Sequence, residues 1–397
     1  MMIYKGSVLA LGFALLTGCA TTNQFTVAEY DDLPDEKLPP VSIYFQTPSD
    51  ELSEFCSNYD KQSAWHFCAT NNVRLQYFYE EFKNTNLFEN VYYAESDVDF
   101  NILISVANYS QTSGKSIGQN TLSAATLLIA PLTSEETYRV DAALVWNGEL
   151  IEQYQQDIPF VANSNLFTVD QNDSADIAKS ITSHIVKDFQ ERNVFAPENV
   201  NKKLKASNYV DDLKLPEFAS DYALNQKKIF HNPLFGTVNR YVHEQFEFDY
   251  VDVFVYPVRH WDLSNSDKVL IREMDVVKHE INIFLKEQGV DQASFNEVEI
   301  RPIKRITESG ETLLNLASLS GSYTINDGGN FKTVIYLCQL KDKFVKYRVT
   351  FEDDADLNKQ VEFFVENHLQ QIEVPNESLF MAKIRQSWRA NSQESLN

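Results

Sequence analysis

Residues 138–160 read YRVDAALVWNGELIEQYQQDIPF, and this stretch decides the fold class. Two strand-like runs, 138–146 and 149–160, flank Asn147 and Gly148. Because both residues tolerate positive φ, they suit a two-residue type I′ turn, which joins antiparallel strands. The stretch therefore predicts a β-hairpin within a mainly antiparallel sheet.

The residues on either side of the hairpin predict the rest of a first domain over 41–195. Short apolar runs predict strands at 41–45, 91–94 and 101–109. Apolar residues at helical spacing predict two helices, one through Leu75, Phe78, Tyr79 and Phe82 and one through Ile177, Ile181, Ile185 and Phe189. This order of elements predicts an α+β domain whose helices pack on one face of the sheet.

A second α+β domain of the same kind is predicted over 217–397. Residues 196–216 are polar and bracketed by Pro197 and Pro216, so they are expected to form a linker. Strands are predicted at 251–256, 297–306, 313–325, 333–340 and 344–351. Two helices are predicted, with inward residues Leu270, Met274, Val277, Ile281, Phe284 and Leu285 in one and Leu357, Val361, Phe364, Val365 and Leu369 in the other.

The start of the chain resembles a bacterial lipoprotein signal. Lys5 precedes an apolar run over 8–16, and Leu16-Thr17-Gly18-Cys19 resembles the lipobox. The resemblance implies a signal peptide over 1–18, acylation of Cys19 and attachment to the lipid bilayer. Ala20 in place of an aspartate favours the outer membrane, on its periplasmic side or at the cell surface. Residues 19–40 are polar and contain prolines, so they are expected to form a flexible tether.

The charge of the chain excludes one class of partner. Asp and Glu number 57 against 34 Lys and Arg, which gives a net charge of −23. Nucleic-acid-binding proteins concentrate basic residues on one face, whereas this acidic field repels polyanions. We therefore expect no nucleic acid partner.

Three cysteines remain once Cys19 is assigned to lipid. In an oxidising periplasm Cys56 and Cys68 are expected to pair as a disulfide across a short loop. The alternative is a metal site that includes His66, although the spacing fits no zinc pattern. Cys338 lies in a strand-like apolar run, where a buried and inert thiol is expected.

The most apolar segment outside the signal is 120–132, which falls between two predicted strands. Connections are normally polar, so this one either folds back as core or is exposed for contact with a partner protein or the bilayer. The residues that would make such a contact are Leu122, Leu127, Leu128, Ile129 and Leu132.

The sequence gives little support for catalysis, a metal or a cofactor. None of the seven histidines is paired at the i, i+4 spacing of a metal-binding helix. His260-Trp261-Asp262 is the one place where a histidine and a carboxylate meet beside an aromatic residue. We therefore predict a non-catalytic binding or scaffolding component of the cell envelope, acting on an unidentified envelope protein. The alternative is a periplasmic hydrolase with its site near His260 and Asp262.

Residues 334–351 resemble the strand pair of small sandwich folds such as the photosystem-associated extrinsic lumenal proteins. The resemblance covers under a tenth of the chain and implies no function.

Overall fold

The structure is a computed structural model that describes residues 24–31, 36–63, 66–111, 132–164, 173–246, 249–290, 293–307, 310–324, 329–352 and 355–394. The chain divides between Val194 and Phe195 into two compact units. The described residues form seven helices and two mainly antiparallel sheets, which confirms the α+β fold class. The signal and Cys19 lie outside the described residues.

The described residues of the first unit form ten elements in chain order. They are β1 (Gln24–Phe25), β2 (Val41–Phe45), α1 (Asp50–Asp60), β3 (His66–Thr70), α2 (Leu75–Asn84), β4 (Val91–Tyr93), β5 (Phe100–Gln111), β6 (Leu132–Trp146), β7 (Glu149–Ser164) and α3 (Asp173–Glu191). The strand order in the sheet is β1-β7-β6-β5-β2-β4, and β3 also pairs with β5. Strand β2 runs parallel to β4 and β5, whereas the other pairings are antiparallel.

The β6–β7 hairpin has the turn that its sequence predicts. Asn147 and Gly148 both adopt positive φ, at 44° and 83°, and Trp146 pairs with Glu149 across the turn. These are the signs of a type I′ turn, which matches the twist of the two strands.

Helices lie on both faces of the first sheet, not on the single face that was expected. Helix α2 is buried through Phe78, which contacts Phe45 on one face at a ring-centroid distance of 5.7 Å. Phe45 is paired with Ile104, and Ala107 points to the opposite face because side chains alternate along a strand. Helix α1, which the sequence did not predict, packs Leu52 against Ala107 and therefore covers that opposite face.

Thirteen elements are formed by the part of the second unit that the structure describes. They are α4 (Pro197–Leu204), β8 (Phe218–Ala219), β9 (Tyr222–Ile229), β10 (Thr237–His243), β11 (Tyr250–Pro257), α5 (Ser266–Glu287), β12 (Ser294–Phe295), β13 (Glu299–Thr307), β14 (Gly310–Thr324), β15 (Asn330–Leu340), β16 (Lys343–Glu352), α6 (Ala355–Gln371) and α7 (Leu379–Glu394). The sheet is antiparallel, with the order β12-β14-β15-β16-β11-β10-β9-β8, and β13 also pairs with β14.

Alternate residues of β15 enter two different cores in the second unit. Val334, Tyr336 and Cys338 pack with α6, whereas Ile335 and Leu337 pack with α5. Helices α5 and α6 therefore cover opposite faces of the sheet. Most of the predicted inward residues of α5 are buried, but Phe284 is half exposed, at 50%.

Two segments predicted as linker or tether contact a unit. Residues 196–216 contain α4, and Tyr209 and Leu213 belong to the core of the second unit. In the predicted tether β1 pairs with β7, and the backbone N–H of Ala28 donates to Ser183 Oγ at 2.9 Å. Strands β8 to β10 and helix α7 come from regions where the sequence showed no clear pattern.

Among the residues that the structure describes, no helix has both the length and the apolar character needed to cross a bilayer.

Candidate functional site

The predicted pairing of Cys56 with Cys68 is confirmed. The disulfide joins α1 to β3, with 5.2 Å between the two Cα atoms. Because both sulfurs are oxidised to a disulfide, neither can act as a thiolate ligand of a metal. His66 lies beside this link, with Nδ1 at 2.7 Å from Ser63 Oγ and its ring against that of Tyr59.

Arg139 anchors an aromatic cluster next to the disulfide. Its guanidinium lies 3.8 Å from the ring centre of Phe55 and donates two hydrogen bonds of 2.8 Å to Asp157. These bonds hold the pKa of Asp157 below its usual value. Each charged group in the cluster has its partner within the cluster, so this surface is explained by the packing of α1.

His260 and Asp262 do not form a catalytic pair. The Asp262 carboxylate accepts hydrogen bonds from the backbone N–H and the hydroxyl of Ser264, at 2.9 and 2.6 Å, which lower its pKa. His260 Nδ1 faces the backbone of Asp262, at 2.7 Å from its oxygen and 3.0 Å from its nitrogen. A base and its orienting carboxylate need a direct side-chain hydrogen bond, and here the carboxylate is turned to another residue.

His368 and Cys338 are buried and are not placed for chemistry. His368 has no exposed surface, and burial lowers its pKa to about 3. Burial also raises the pKa of the Cys338 thiol to about 12, which keeps it in the unreactive thiol form. The place of Cys338 in the core agrees with its interpretation from sequence.

The hydrogen bonds around His368 fix its tautomer. Tyr241 donates its hydroxyl proton to the backbone oxygen of Pro216 at 2.7 Å, so its oxygen can only accept from His368 Nε2, 3.1 Å away. Nδ1 therefore carries no proton and accepts from the hydroxyl of Tyr347 at 2.9 Å. The buried imidazole is neutral and has both nitrogens satisfied.

The second unit contains a cleft of about 860 Å³. Its lining comes from five separate segments, namely 205–214, 305–307, 312–314, 340–341 and 373–378. Polar side chains dominate the lining, including Asn208, Asp212, Thr312, Glu373 and Asn376. We name this feature the polar cleft.

Cations hold the walls of the polar cleft in place. Arg305 donates from Nε to the backbone oxygen of Leu369 at 2.8 Å, and a second nitrogen donates to that of Ile372. Lys341 donates to the backbone oxygen of Val374 at 2.9 Å and to Asn376 Oδ1 at 2.7 Å. The segment that joins α6 to α7 is thereby fixed against the sheet, so the cleft is preformed.

The rim of the polar cleft presents both signs of charge. Among the described residues, Lys205, Asp212 and Glu373 line the cleft with no side-chain hydrogen bond or ion pair of their own. An ammonium and two carboxylates around a fixed polar wall can bind a polar ligand through hydrogen bonds and charge pairs. The sequence could not reveal this site, because its lining residues are separated by up to about 170 positions.

The proposed contact segment could not be placed. Leu122, Leu127, Leu128 and Ile129 lie outside the described residues, and Leu132 begins β6, where it pairs with Ser164. No group of three or more His, Cys, Asp or Glu in the described ranges is arranged to hold a metal ion.

No protein-family model matches this chain, and a search of curated proteins found no relative. Among solved structures, the chain is similar to the solution structure of cyanobacterial PsbP (CyanoP) from Synechocystis sp. PCC 6803. The identity is 12%, the TM-score is 0.27, and the match covers 42% of this chain and 89% of that one. A likeness this weak carries no argument about function.

Proposed function

We propose that this protein is a lipid-anchored, non-catalytic binding component of the bacterial cell envelope, held at the outer membrane through acylated Cys19. The observation that carries the proposal is the disulfide between Cys56 and Cys68 in a chain whose start resembles a lipoprotein signal. Disulfides persist in the periplasm and are rare in the cytosol, so the covalent link and the lipobox support the same compartment.

The polar cleft supports binding as the activity. Its walls are fixed by Arg305 and Lys341, and its rim leaves Lys205 and Asp212 open to a ligand. The hydrolase alternative lacks a catalytic pair, because the side chains of His260 and Asp262 bond to other groups and not to each other. The partner is an envelope protein, which the apolar segment 120–132 and the polar cleft can each contact.

Fractionation of cells tests the anchor. The wild-type chain is expected in the outer-membrane fraction and labelled by palmitate, because several acyl chains hold a protein stably where one does not. A Cys19→Ala variant should lose the label and leave the membrane. Cys338→Ala is the matched control and should behave as wild type. Membrane attachment that survives in Cys19→Ala would contradict the proposed anchor.

Photo-crosslinking in living cells tests the binding role. A crosslinking residue at Leu128 reports on the apolar segment, and one at Asp212 reports on the rim of the polar cleft. A defined protein adduct from either position supports the proposal, and a crosslinker at exposed Lys83 of α2 serves as the control. Two folded, anchored variants that give only the background of the control would overturn the binding role at both surfaces.

A further inference from the structure

One face of the second sheet extends beyond the helix that covers it. Across β16, β11 and β10, Arg348 is paired with Asp252 and Asp252 with Arg240, while Lys346 is paired with Phe254. Paired residues lie on the same face of a sheet. These side chains therefore share the face of α5, since Phe254 packs against the core that α5 forms.

One ion pair on this face is already complete. Arg240 donates to both oxygens of Asp252, at 2.7 and 2.9 Å, and its guanidinium lies 4.1 Å from the ring centre of Tyr250. This bidentate pair has a fixed geometry and occupies the carboxylate of Asp252, which lies between Arg240 and Arg348 in the row of paired residues.

Two further cations have no anionic partner. Within the described ranges Arg348 makes no hydrogen bond or ion pair, and no carboxylate oxygen lies within 4.0 Å of Lys346 Nζ. The Lys346 ammonium instead lies over the rings of Phe254 and Tyr256, at 4.6 and 5.3 Å from their centres. Both cations are half buried, so each is partly removed from water without a compensating charge at contact distance.

Glu273 and Glu280 of α5 attract the Lys346 ammonium, but neither forms an ion pair with it among the described residues. Glu273 accepts from the Tyr256 hydroxyl at 2.8 Å and lies 3.5 Å from Arg259. Burial lowers the pKa of Lys346, while the charges of Glu280 and Glu273 act in the opposite direction. On the strands of this face, three cations, Arg240, Lys346 and Arg348, are arranged around one carboxylate, that of Asp252.

We propose that Arg348 and Lys346, beside the Arg240–Asp252 pair, form a docking surface for an acidic peptide segment of a partner protein. The two cations are two residues apart on β16, a separation of about 7 Å along a strand. An extended peptide with an acid at every second residue places its carboxylates at the same spacing, about 7 Å. This inference concerns a surface separate from the polar cleft, and it does not depend on the lipid anchor.

The exposed edge of α5 favours a peptide as the ligand of this surface over a small inorganic anion. Val276 and Ile283 are 37% and 47% exposed and lie seven residues apart, on the same side of the helix. Val276 also lines a cavity of about 270 Å³ together with Arg259 and Glu273, which places it on the side of α5 that faces the cations. Apolar residues of a bound segment can pack there while its carboxylates pair with Arg348 and Lys346.

Fluorescence anisotropy with a synthetic peptide tests the proposal. The probe is a fluorescein-labelled peptide of alternating Glu and Leu, about twelve residues long, added to the full-length protein in a non-ionic detergent. We expect saturable binding that weakens with salt. Arg348→Glu and Lys346→Glu should each weaken it about tenfold.

A matched control separates the proposed face from general charge effects. Lys227→Glu makes the same charge change on β9 but on the opposite face, because its neighbour Lys228 is the residue paired with Val238 on the proposed face. It should change the affinity less than about twofold. Arg348→Gln removes the charge without placing a second acid beside Asp252, so it serves if the Glu variant fails to fold.

Three results would overturn the proposal. They are no binding of the peptide, equal weakening by Lys227→Glu, and Arg348-dependent binding to phosphatidylglycerol vesicles in place of the peptide. None of these results bears on the fractionation of Cys19→Ala, so failure here is distinct from failure of the proposed anchor.

Discussion

The two units fasten a helix to their sheets by different means. In the first unit the Cys56–Cys68 disulfide ties α1 to β3 across 12 positions of sequence. In the second unit Arg385 of α7 lies next to Asp342, which is 43 positions away, and donates to the backbone oxygen of Val258, which is 127 positions away. The first link is local and covalent, and the second is distant and ionic.

The ionic link is buried and shared by several charges. Asp342, Lys343 and Arg385 are 3%, 0% and 6% exposed, and Glu377 also pairs with Arg385. Buried charges are stable only while each has a partner, whereas a disulfide acts mainly by restricting the unfolded chain. The ionic link therefore depends on the whole folded surroundings, and the disulfide does not.

The largest effect is expected from Arg385→Ala. The substitution leaves Asp342 and Glu377 without their guanidinium partner, and breaking a buried charge pair costs about 3–5 kcal/mol. Urea unfolding followed by hydrogen exchange should show this loss in the amides of β16 and α7. Helix α7 should detach before the rest of the second unit unfolds.

Arg389→Ala is the control for that prediction. Arg389 lies one turn further along α7, is exposed, and contacts the ring of Trp261 at 5.8 Å. Its removal should have a much smaller effect on exchange. Equal losses from Arg385→Ala and Arg389→Ala would show that the buried ion cluster does not hold α7.

The next largest effect is expected from the double variant Cys56→Ala with Cys68→Ala. The chain-entropy model gives about 3 kcal/mol for a loop of this length. The loss should be confined to the first unit, in the amides of α1 and β3, and a reducing agent should produce it in the wild-type chain. A comparable loss in the second unit would contradict a local role for the disulfide.

The two links differ in how far sequence could predict them. The disulfide was predictable because the compartment expected from the lipobox and the short spacing of the two cysteines limit the choice of partners. The hairpin and the inward residues of α3 were predictable because turn chemistry and helical periodicity are local properties. The ion cluster has no such pattern, because Arg385 meets Asp342 and Val258 only after the sheet has formed.

Dependence on distant residues also explains why the sequence did not predict α1, the packing of residues 196–216 or the polar cleft. The sequence of α1 resembles that of a polar loop, since only Leu52 and Cys56 of its eleven residues are buried. The segment 196–216 reads as a linker, yet Tyr209 and Leu213 complete a core built from distant strands. The polar cleft lies between five segments, so no one stretch of sequence carries its signal.

The stability of the second unit is also expected to depend on an uncharged polar link, the hydrogen bonds of His368 with Tyr241 and Tyr347. His368→Gln keeps a donor for Tyr241, but its acceptor oxygen lies at the end of the side chain and not at the position of Nδ1. The Tyr347 hydroxyl therefore loses its acceptor at that position, which costs about 1–3 kcal/mol. Equilibrium unfolding at neutral pH measures the loss. A variant as stable as wild type would show that the Tyr347 hydroxyl finds another acceptor.

The stability that His368 contributes is expected to depend on pH, and the same variant measures it. The pKa of His368 is about 3 in the fold against 6.5 in the unfolded chain, so the unfolded state binds the extra proton. The stability that His368 contributes is complete above pH 6.5 and is lost as the pH falls toward 3. As the pH falls through this window, the difference in free energy of unfolding between wild type and His368→Gln should decrease by at most about 1.4 kcal/mol per pH unit. A difference that stays constant with pH would contradict a neutral buried imidazole.

The smallest effect is expected from Gly148→Ala in the first unit. A Cβ at this position would meet no atom within 4 Å, so the cost comes from the positive φ of 83° alone, about 1 kcal/mol. Gly236→Ala is the contrasting variant in the second unit, because its Cβ would lie 2.0 Å from the backbone oxygen of Val255. Thermal unfolding of the two variants should therefore show a small loss for the first and a larger one for the second. Equal losses would mean that backbone conformation outweighs close contact at both turns.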